Sequence, residues 1–280
     1  MAFVLVGGFF VIELVAGLLS GSLALLSDAG HMAADVMALG GALVATRIAA
    51  RGGVTGHRTY GSYRAEVFAS GFTALLMLGV AAFVVYEAFD RIGVSPLIIT
   101  GPMMVVGAIG LVINVISILL LRGGADESIN VKGAYAEVLG DTAGSVGVII
   151  AGFLVASTGQ GYWDTIVALA IGVFVAVRAI ALGREVLHVL AQHTPADVDA
   201  DEMTAALAAI PGVDDVHDLH VWTLTSGMNV ATAHLVATDA EQGPAVLAAA
   251  GELMREQFGI AHATLQVEPR ESPACEELDW

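Results

Sequence analysis

The 280-residue sequence contains few of the residues on which disulfide-stabilised, soluble or nucleic-acid-binding proteins depend. Its single cysteine, Cys275, excludes a disulfide or a cysteine-rich metal cluster within one chain. Its single lysine, Lys132, and a formal net charge of −17 argue against nucleic acid as a partner, because phosphate binding needs clustered basic residues. Charged residues make up 14%, below the ~25% of a soluble domain. The composition therefore predicts an integral membrane protein with a cationic ligand.

Six apolar segments each approach the roughly 20 residues that a helix needs to cross a bilayer. They are Ala2–Leu19, Ser22–Ala45, Val67–Phe89, Pro102–Leu121, Tyr135–Ala156 and Thr165–Leu187. Turn residues such as Ser20-Gly21 separate them. The first segment lacks a basic region and a small-residue cleavage site, so we expect a retained helix and not a signal peptide. The sequence predicts a polytopic α-helical domain with six transmembrane helices over residues 1–192.

Basic residues are concentrated at the second and fourth connections and at the end of the last segment. They are Arg47, Arg51, Arg58 and Arg64, then Arg122 and Lys132, then Arg178 and Arg184. The first and fifth connections contain neither Lys nor Arg, and the third contains only Arg91. The positive-inside rule therefore places both termini in the cytoplasm. We expect a multi-pass protein of the plasma or inner membrane, and the low lysine content suggests a bacterial source.

The sequence pattern changes after Pro195, where charge rises and the hydrophobic period shortens. Two helical and three strand patterns follow. In chain order they are Asp197–Ile210, Val213–Thr225, Asn229–Ala237, Pro244–Phe258 and His262–Val267. The order α-β-β-α-β predicts a small cytosolic α+β domain over residues 193–280, with one sheet covered by two helices.

Ionisable residues interrupt two of the apolar segments. In the second segment, Asp28, His31 and Asp35 lie at i, i+3 and i+7 and share one helix face; in the fifth, Glu137 and Asp141 lie at i and i+4. A charge at membrane depth costs at least ~2.5 kcal/mol, so such residues need compensation. Two helices that each offer a ligand pair can close a four-coordinate site around a divalent cation. The alternative is that these side chains only cap helices or hydrogen-bond between helices.

Several stretches resemble the cation diffusion facilitator family, and within it the zinc exporters. They are SLALLSDAGHMAAD (Ser22–Asp35), YGSYRAEVF (Tyr60–Phe68), GLVIN (Gly110–Asn114), VLGDTAGSVGV (Val138–Val148) and VHDLHVWTLT (Val216–Thr225). The resemblance extends over nearly the whole chain. It implies a homodimeric antiporter in the lipid bilayer that exports a divalent metal, foremost Zn²⁺, in exchange for protons. It also implies that His31, Asp35, Glu137 and Asp141 bind the transported ion.

Glu137 departs from the family pattern, because zinc members usually carry a histidine at this position. The resulting set of one imidazole and three carboxylates shifts the preference toward Mn²⁺, Fe²⁺ or Co²⁺. Zinc remains our first expectation because the affinity order favours late metals over Mn²⁺ and Fe²⁺. An exporter of one of those metals or of Cd²⁺ is the alternative. Asp28, one turn from His31, is either a relay residue or a hydrogen-bonding residue, and Glu13 is expected to line the same polar cavity.

The cytosolic domain offers a second candidate metal site. Its candidate ligands are His217, His234, His262 and Glu268. In relatives, positions matching His217 and His234 bind regulatory metal, and the other two are expected to add ligands, within one chain or across a dimer. Strand alternation predicts that Leu219 shares a face with His217 and that His220 lies on the opposite face. The alternative is a set of strand histidines hydrogen-bonded at a surface.

Two further hypotheses concern other sites and other functions. His57, in the second connection, is a candidate ligand of a loop metal site, although a lone loop histidine is more often solvated. A metal hydrolase would need a motif such as His-Glu-x-x-His, which the sequence lacks, so we do not expect an enzyme. A membrane-anchored metal sensor remains the alternative from another class, in which the cytosolic histidines bind the metal. The sensor hypothesis assigns no function to the ionisable residues of the apolar segments.

Overall fold

The computed structural model of the chain describes residues 2–50, 60, 63–94, 96–122 and 129–269. Six long helices come first: α1 (Ala2–Ser20), α2 (Leu23–Ala50), α3 (Arg64–Asp90), α4 (Thr100–Leu121), α5 (Ile129–Thr158) and α6 (Tyr162–Leu190). Each overlaps one of the predicted apolar segments. Five of them, all except α2, are long and apolar enough to cross a membrane. Helix α2 is long enough to cross a membrane, but its ionisable residues make it less apolar.

The outward faces of these helices are apolar to a degree that a water-soluble domain does not tolerate. Leu75, Leu120 and Val177 are large apolar residues that remain well exposed. The interior is formed by residues such as Leu23 and Val148, which are fully buried. Exposed apolar faces on helices that satisfy their own backbone hydrogen bonds are what a bilayer requires. The protein is therefore a multi-pass membrane protein.

The second compact unit contains a small α/β fold. The chain up to Ala50 together with Ala69–Gly183 forms one unit, and the chain from Arg184 onward forms another together with the start of α3. The elements after α6 are α7 (Ala200–Ala208), β1 (Val213–Thr225), β2 (Met228–Ala237), α8 (Gly243–Glu256) and β3 (His262–Pro269). The predicted order α-β-β-α-β is confirmed, with one short 3₁₀ turn before α8.

The three strands form one sheet in the order β1-β2-β3. Strands β1 and β2 are antiparallel, and β2 and β3 are parallel, with α8 as the crossover between them. Helices α7 and α8 cover one face, where Met203 and Met254 pack with Leu235 of β2 in a fully buried core. The opposite face of the sheet carries His234, since it alternates with Leu235 along β2.

A β-bulge in β1 overturns the predicted alternation of its histidines. His217 pairs with His234, whereas His220 pairs with Thr232, so β1 has one residue more than β2 between these two pairs. Asp218 in the bulge has a φ of 51°, a left-handed conformation that aspartate tolerates better than most residues. Because His234 and Thr232 share a face, His217 and His220 share it too, and Leu219 packs against the core instead. The prediction that His220 lies opposite His217 was wrong.

Candidate metal centres

Helices α2 and α5 approach closely beside the ionisable residues of α2. A Cβ atom added to Gly144 of α5 would lie 2.6 Å from Asp28 Oδ1. Only a glycine allows this approach, because any side chain would have to displace the carboxylate or the helix. One turn further along α2, the same face presents His31 to α5. The glycine therefore sets the helix spacing at which residues of α2 and α5 can meet.

His31 and Asp141 are in direct contact across this interface. His31 Nε2 lies 3.1 Å from Asp141 Oδ1, and the histidine is buried to 3% exposure. Two ligand atoms at about 2.0–2.2 Å from a tetrahedral ion are roughly 3.3–3.6 Å apart. The distance between His31 Nε2 and Asp141 Oδ1 is slightly shorter than this separation. His31 Nδ1 is a buried atom that lacks a hydrogen-bond partner among the described residues. Such atoms are expected where an ion or a proton completes the site.

Asp35 and Glu137 extend the same cluster. One ligand atom each of His31, Asp35 and Glu137 lies within 4.8 Å of the other two. Together with Asp141, which contacts His31, the structure brings all four residues of the predicted transport site to one place. The cluster joins one imidazole to three carboxyl groups, and it lies between helices that are otherwise apolar.

Arg178 of α6 also reaches this cluster, which sequence reasoning missed. Its Nη1 lies 3.0 Å from His31 Nε2, and its Nη2 donates to Glu137 Oε1 at 2.5 Å. From the sequence, Arg178 was counted among the basic residues that flank the last segment. It instead lies twelve residues before the end of α6 at Leu190. The signal that identifies it is its position inside an apolar helix, where an ionisable residue needs a partner.

An aromatic side chain lies beside both Arg178 and His31. The guanidinium carbon of Arg178 is 5.9 Å from the ring centroid of Phe174, one turn earlier on α6. The same ring meets His31 edge-on, with centroids 6.2 Å apart. A Cβ atom on Gly140 of α5 would lie 2.9 Å from this ring, so the glycine makes room for it. Phe174 thus restricts the position of the Arg178 guanidinium through packing and a cation–π contact.

Two more buried carboxyl groups lie in the helical unit near the cluster. Asp28 and Glu13 are exposed to only 5% and 1%, and Glu13 Oε2 lacks a hydrogen-bond partner among the described residues. Neither belongs to the group of three ligand atoms. Nearby, Asn114 of α4 donates to the hydroxyl of Ser145 on α5 at 3.4 Å. These groups make the space between α1, α2, α4 and α5 polar in part.

The cytosolic fold contains a second group with metal-ligand geometry. Ligand atoms of His217, His234 and Glu268 lie within 4.8 Å of one another. His234 Nδ1 is 3.1 Å and His217 Nε2 is 3.9 Å from the Glu268 carboxylate, and the two rings lie 5.3 Å apart. Glu268 is 4% exposed, although a carboxylate is seldom buried without compensation. Two imidazoles and one carboxylate form a donor set that Zn²⁺ commonly takes.

The structure places the remaining predicted ligands elsewhere or does not describe them. His262 begins β3 and lies six residues before Glu268, which is roughly 20 Å along an extended strand. The cytosolic cluster within one chain therefore does not include it. His57 lies outside the described residues.

Comparison with known proteins identifies the family. Residues 1–191 match the family model of the cation efflux transmembrane domain, and residues 195–270 match that of the cation efflux protein cytoplasmic domain. The chain belongs to the cation diffusion facilitator family. It is a divalent metal cation efflux transporter, since its full-length relatives are named as such.

Three relatives are similar along nearly the whole chain. The metal cation efflux system protein CzcD of Cupriavidus metallidurans is 42% identical over 100% of this chain and 87% of the relative. A cadmium, cobalt and zinc/H⁺-K⁺ antiporter of Bacillus subtilis is 32% identical over 96% of this chain and 87% of the relative. The zinc transporter ZitB of Escherichia coli is 34% identical over 98% and 88%. All three are transporters of metal cations by name.

Proposed function

We propose that this facilitator exports Zn²⁺ from the cytoplasm in exchange for protons. The observation that carries the proposal is the convergence of His31, Asp35 and Glu137 within 4.8 Å, with Asp141 in contact with His31. In this proposal the four side chains are the ligands of the transported ion, two from α2 and two from α5. A relative motion of these two helices then exposes the ion to either side of the membrane.

Proton exchange follows from the chemistry of the ligands. Imidazole and carboxyl groups bind a metal only when they are deprotonated, so metal binding and proton binding at the four residues exclude one another. Protons from outside therefore displace the metal at the outer face, and metal from the cytoplasm displaces protons at the inner face. The name of the Bacillus relative, an antiporter with protons, supports the same coupling here.

The carboxylate of Glu137 affects which metal the proposed site prefers. The relatives carry names that include zinc, cadmium and cobalt, and the late metals bind nitrogen and oxygen ligands more tightly than Mn²⁺ or Fe²⁺ do. We therefore propose Zn²⁺ as the main substrate. Export of Cd²⁺, Co²⁺, Mn²⁺ or Fe²⁺ is the alternative, because a third carboxylate makes the site harder.

The proposed membrane arrangement has six spans, with α2 as the second and both termini in the cytoplasm. A helix with three ionisable residues within its apolar stretch can cross a bilayer when those residues face the bundle interior, and Asp28 and His31 are buried there. We place the transmembrane domain at residues 1–192 and the cytosolic domain at residues 193–280, in a homodimer of the inner or plasma membrane. The match to a cytoplasmic efflux domain supports this division.

We further propose that the cytosolic cluster binds a regulatory Zn²⁺ ion. His217, His234 and Glu268 fit such an ion, because His217 Nε2 is a buried atom without a hydrogen-bond partner in the described chain and faces a buried carboxylate. His217 of β1, His234 of β2 and Glu268 of β3 would hold the ion, which would supply positive charge that compensates the buried carboxylate of Glu268. His262 can add a ligand only from the second chain of a dimer.

The test of the transport proposal uses proteoliposomes that contain the full-length chain and a zinc-sensitive dye. We expect Asp35→Ala and Asp141→Ala to abolish zinc flux and the accompanying proton flux. Thr142→Ala is the matched control on α5, because the hydroxyl of Thr142 donates to the Val138 carbonyl of the same helix. Zinc flux at the wild-type rate in both aspartate variants contradicts the proposal.

The same assay separates a transporter from a metal sensor. The alternative, a membrane-anchored sensor, is favoured by the cytosolic cluster alone. A sensor loses its metal response when His217 and His234 are replaced by alanine, whereas a transporter retains flux. If zinc flux is lost in Asp35→Ala but retained when both histidines are replaced, the protein is a transporter and not a sensor.

A further inference from the structure

Arg178 places a permanent positive charge in the cluster that we propose as the transport site. A guanidinium group stays protonated at any pH a protein experiences, and its two terminal nitrogens here face two different candidate ligands. One nitrogen meets His31 Nε2 and the other meets Glu137 Oε1. The inference that follows rests on the transport site proposed above.

The contact with His31 occupies the electron pair that a metal needs. A neutral imidazole has one nitrogen with a free electron pair. In the tautomer that is protonated at Nδ1, this nitrogen is Nε2, which then accepts a hydrogen bond from Arg178 in place of donating one to Asp141. A metal ion cannot bind to Nε2 until the guanidinium has left. The same holds for Glu137 Oε1, whose contact with Arg178 is a short charge-assisted hydrogen bond.

The surroundings of Arg178 hold the guanidinium near its contacts. Phe174, one turn away on α6, packs against the guanidinium and against the His31 ring. Gly140 leaves the space that Phe174 needs. The side chain of Arg178 is 31% exposed, so it has room to move away without unfolding the helix bundle.

We propose that Arg178 is a tethered competitor of the transported metal: its guanidinium occupies His31 and Glu137 in the metal-free protein and is displaced when a divalent cation binds. It compensates the three carboxyl groups while the site is empty, which a membrane interior otherwise penalises. Its return to His31 and Glu137 then helps to release the metal. Arg178 is a positioning residue for exchange, and it is not a metal ligand.

The test measures zinc affinity of the detergent-solubilised full-length chain by competition with a chelating dye. A His217→Ala/His234→Ala background removes the cytosolic cluster from the measurement. We expect Arg178→Gln to tighten zinc binding about ten-fold or more, the factor that corresponds to one lost charge-assisted hydrogen bond. Arg178→Lys keeps the charge but not the two-pronged geometry, so we expect an affinity between the two. Arg184→Gln, at an exposed position of the same helix, is the charge-matched control.

Transport kinetics distinguish a competitor role of Arg178 from a purely structural role. With the competitor removed, zinc binds more tightly and leaves more slowly, so in proteoliposomes both KM and kcat fall in Arg178→Gln. A zinc affinity of Arg178→Gln that is unchanged or weaker overturns the proposal, provided that size-exclusion chromatography shows a folded protein. If Arg178→Gln does not fold, the Arg178→Lys variant decides in the same way.

Two more variants separate this proposal from the transport proposal beneath it. His31→Ala and Asp35→Asn are expected to lose zinc binding in the same background. If they do and Arg178→Gln binds as the wild type does, the transport site stands and the competitor role is refuted. If they bind zinc as the wild type does, the transport site itself is refuted, and the role of Arg178 with it.

Discussion

The Asp164 carboxylate of α6 accepts a 2.6 Å hydrogen bond from the hydroxyl of Ser22, the residue that precedes α2. It also accepts hydrogen bonds from the backbone N–H groups of Leu23 and Ala24, at 2.6 and 3.3 Å. Arg91, the residue that follows α3, lies 3.5 Å from the same carboxylate. The first N–H groups of a helix have no partner within the helix, so α6 supplies what α2 lacks. The start of α2 and the start of α6 are therefore fixed to each other.

Replacement of this carboxylate is predicted to destabilise the helical unit. Asp164→Ala leaves buried donors of α2 without an acceptor, which costs at least about 2 kcal/mol. We expect a fall in Tm of roughly 4–8 °C in detergent, since a loss of this size moves Tm by a few degrees per kcal/mol. Asp90→Ala, at an exposed position at the end of α3, serves as control and should leave Tm unchanged. An unaltered Tm in Asp164→Ala shows that the contact is not needed.

A methyl group at Gly144 is predicted to separate α2 from α5. The Cβ atom of Gly144→Ala meets Asp28 Oδ1 at 2.6 Å, and overpacking of this kind costs about 1–3 kcal/mol. Because the candidate ligands come in pairs from these two helices, we expect a loss of zinc affinity and of flux in proteoliposomes. Gly79→Ala on α3 is the matched control, since no atom of the described residues lies within 4 Å of its added Cβ. Equal zinc affinity in the two alanine variants contradicts the prediction.

The helices and the two candidate ligand pairs could be predicted because they depend on local spacing. An apolar run of about 20 residues specifies a membrane helix, and residues at i and i+4 share a helix face. His31 with Asp35, and Glu137 with Asp141, were therefore found without any structure. The strands of the cytosolic domain followed in the same way from alternation.

What the sequence could not predict depends on contacts between elements that are distant in the chain. Arg178 meets His31 across 147 residues. Its position inside an apolar segment indicates that it needs a partner, but no local pattern identifies that partner. Asp164 likewise finds its partners on α2. The bulge at Asp218 adds one residue to β1 and reverses the faces of the residues from His220 to Thr223, which alternation alone cannot detect.

Replacement of Glu137 by histidine is predicted to favour zinc over harder metals. Glu137→His restores two imidazoles and removes the carboxylate that pairs with Arg178. We expect the ratio of zinc to manganese transport to rise about ten-fold, because imidazole suits late metals and carboxylate suits Mn²⁺. The ratio is measured in proteoliposomes with each metal in turn. Glu185→His, at an exposed position of α6, is the control, and an unchanged ratio in Glu137→His means that Glu137 does not set the preference.

The cytosolic cluster is predicted to hold one zinc ion in each chain. Replacement of both His217 and His234 by alanine removes two of the three ligands, so we expect the bound zinc to fall by about one equivalent per chain. The measurement is elemental analysis of the full-length protein after dialysis against dilute zinc. His262→Ala is the informative comparison, because His262 lies at the far end of β3 from Glu268. If zinc is retained in His262→Ala and lost in the double variant, the ligands of the site come from one chain. Zinc lost in both variants means that a second chain contributes His262, and zinc retained in both refutes the site.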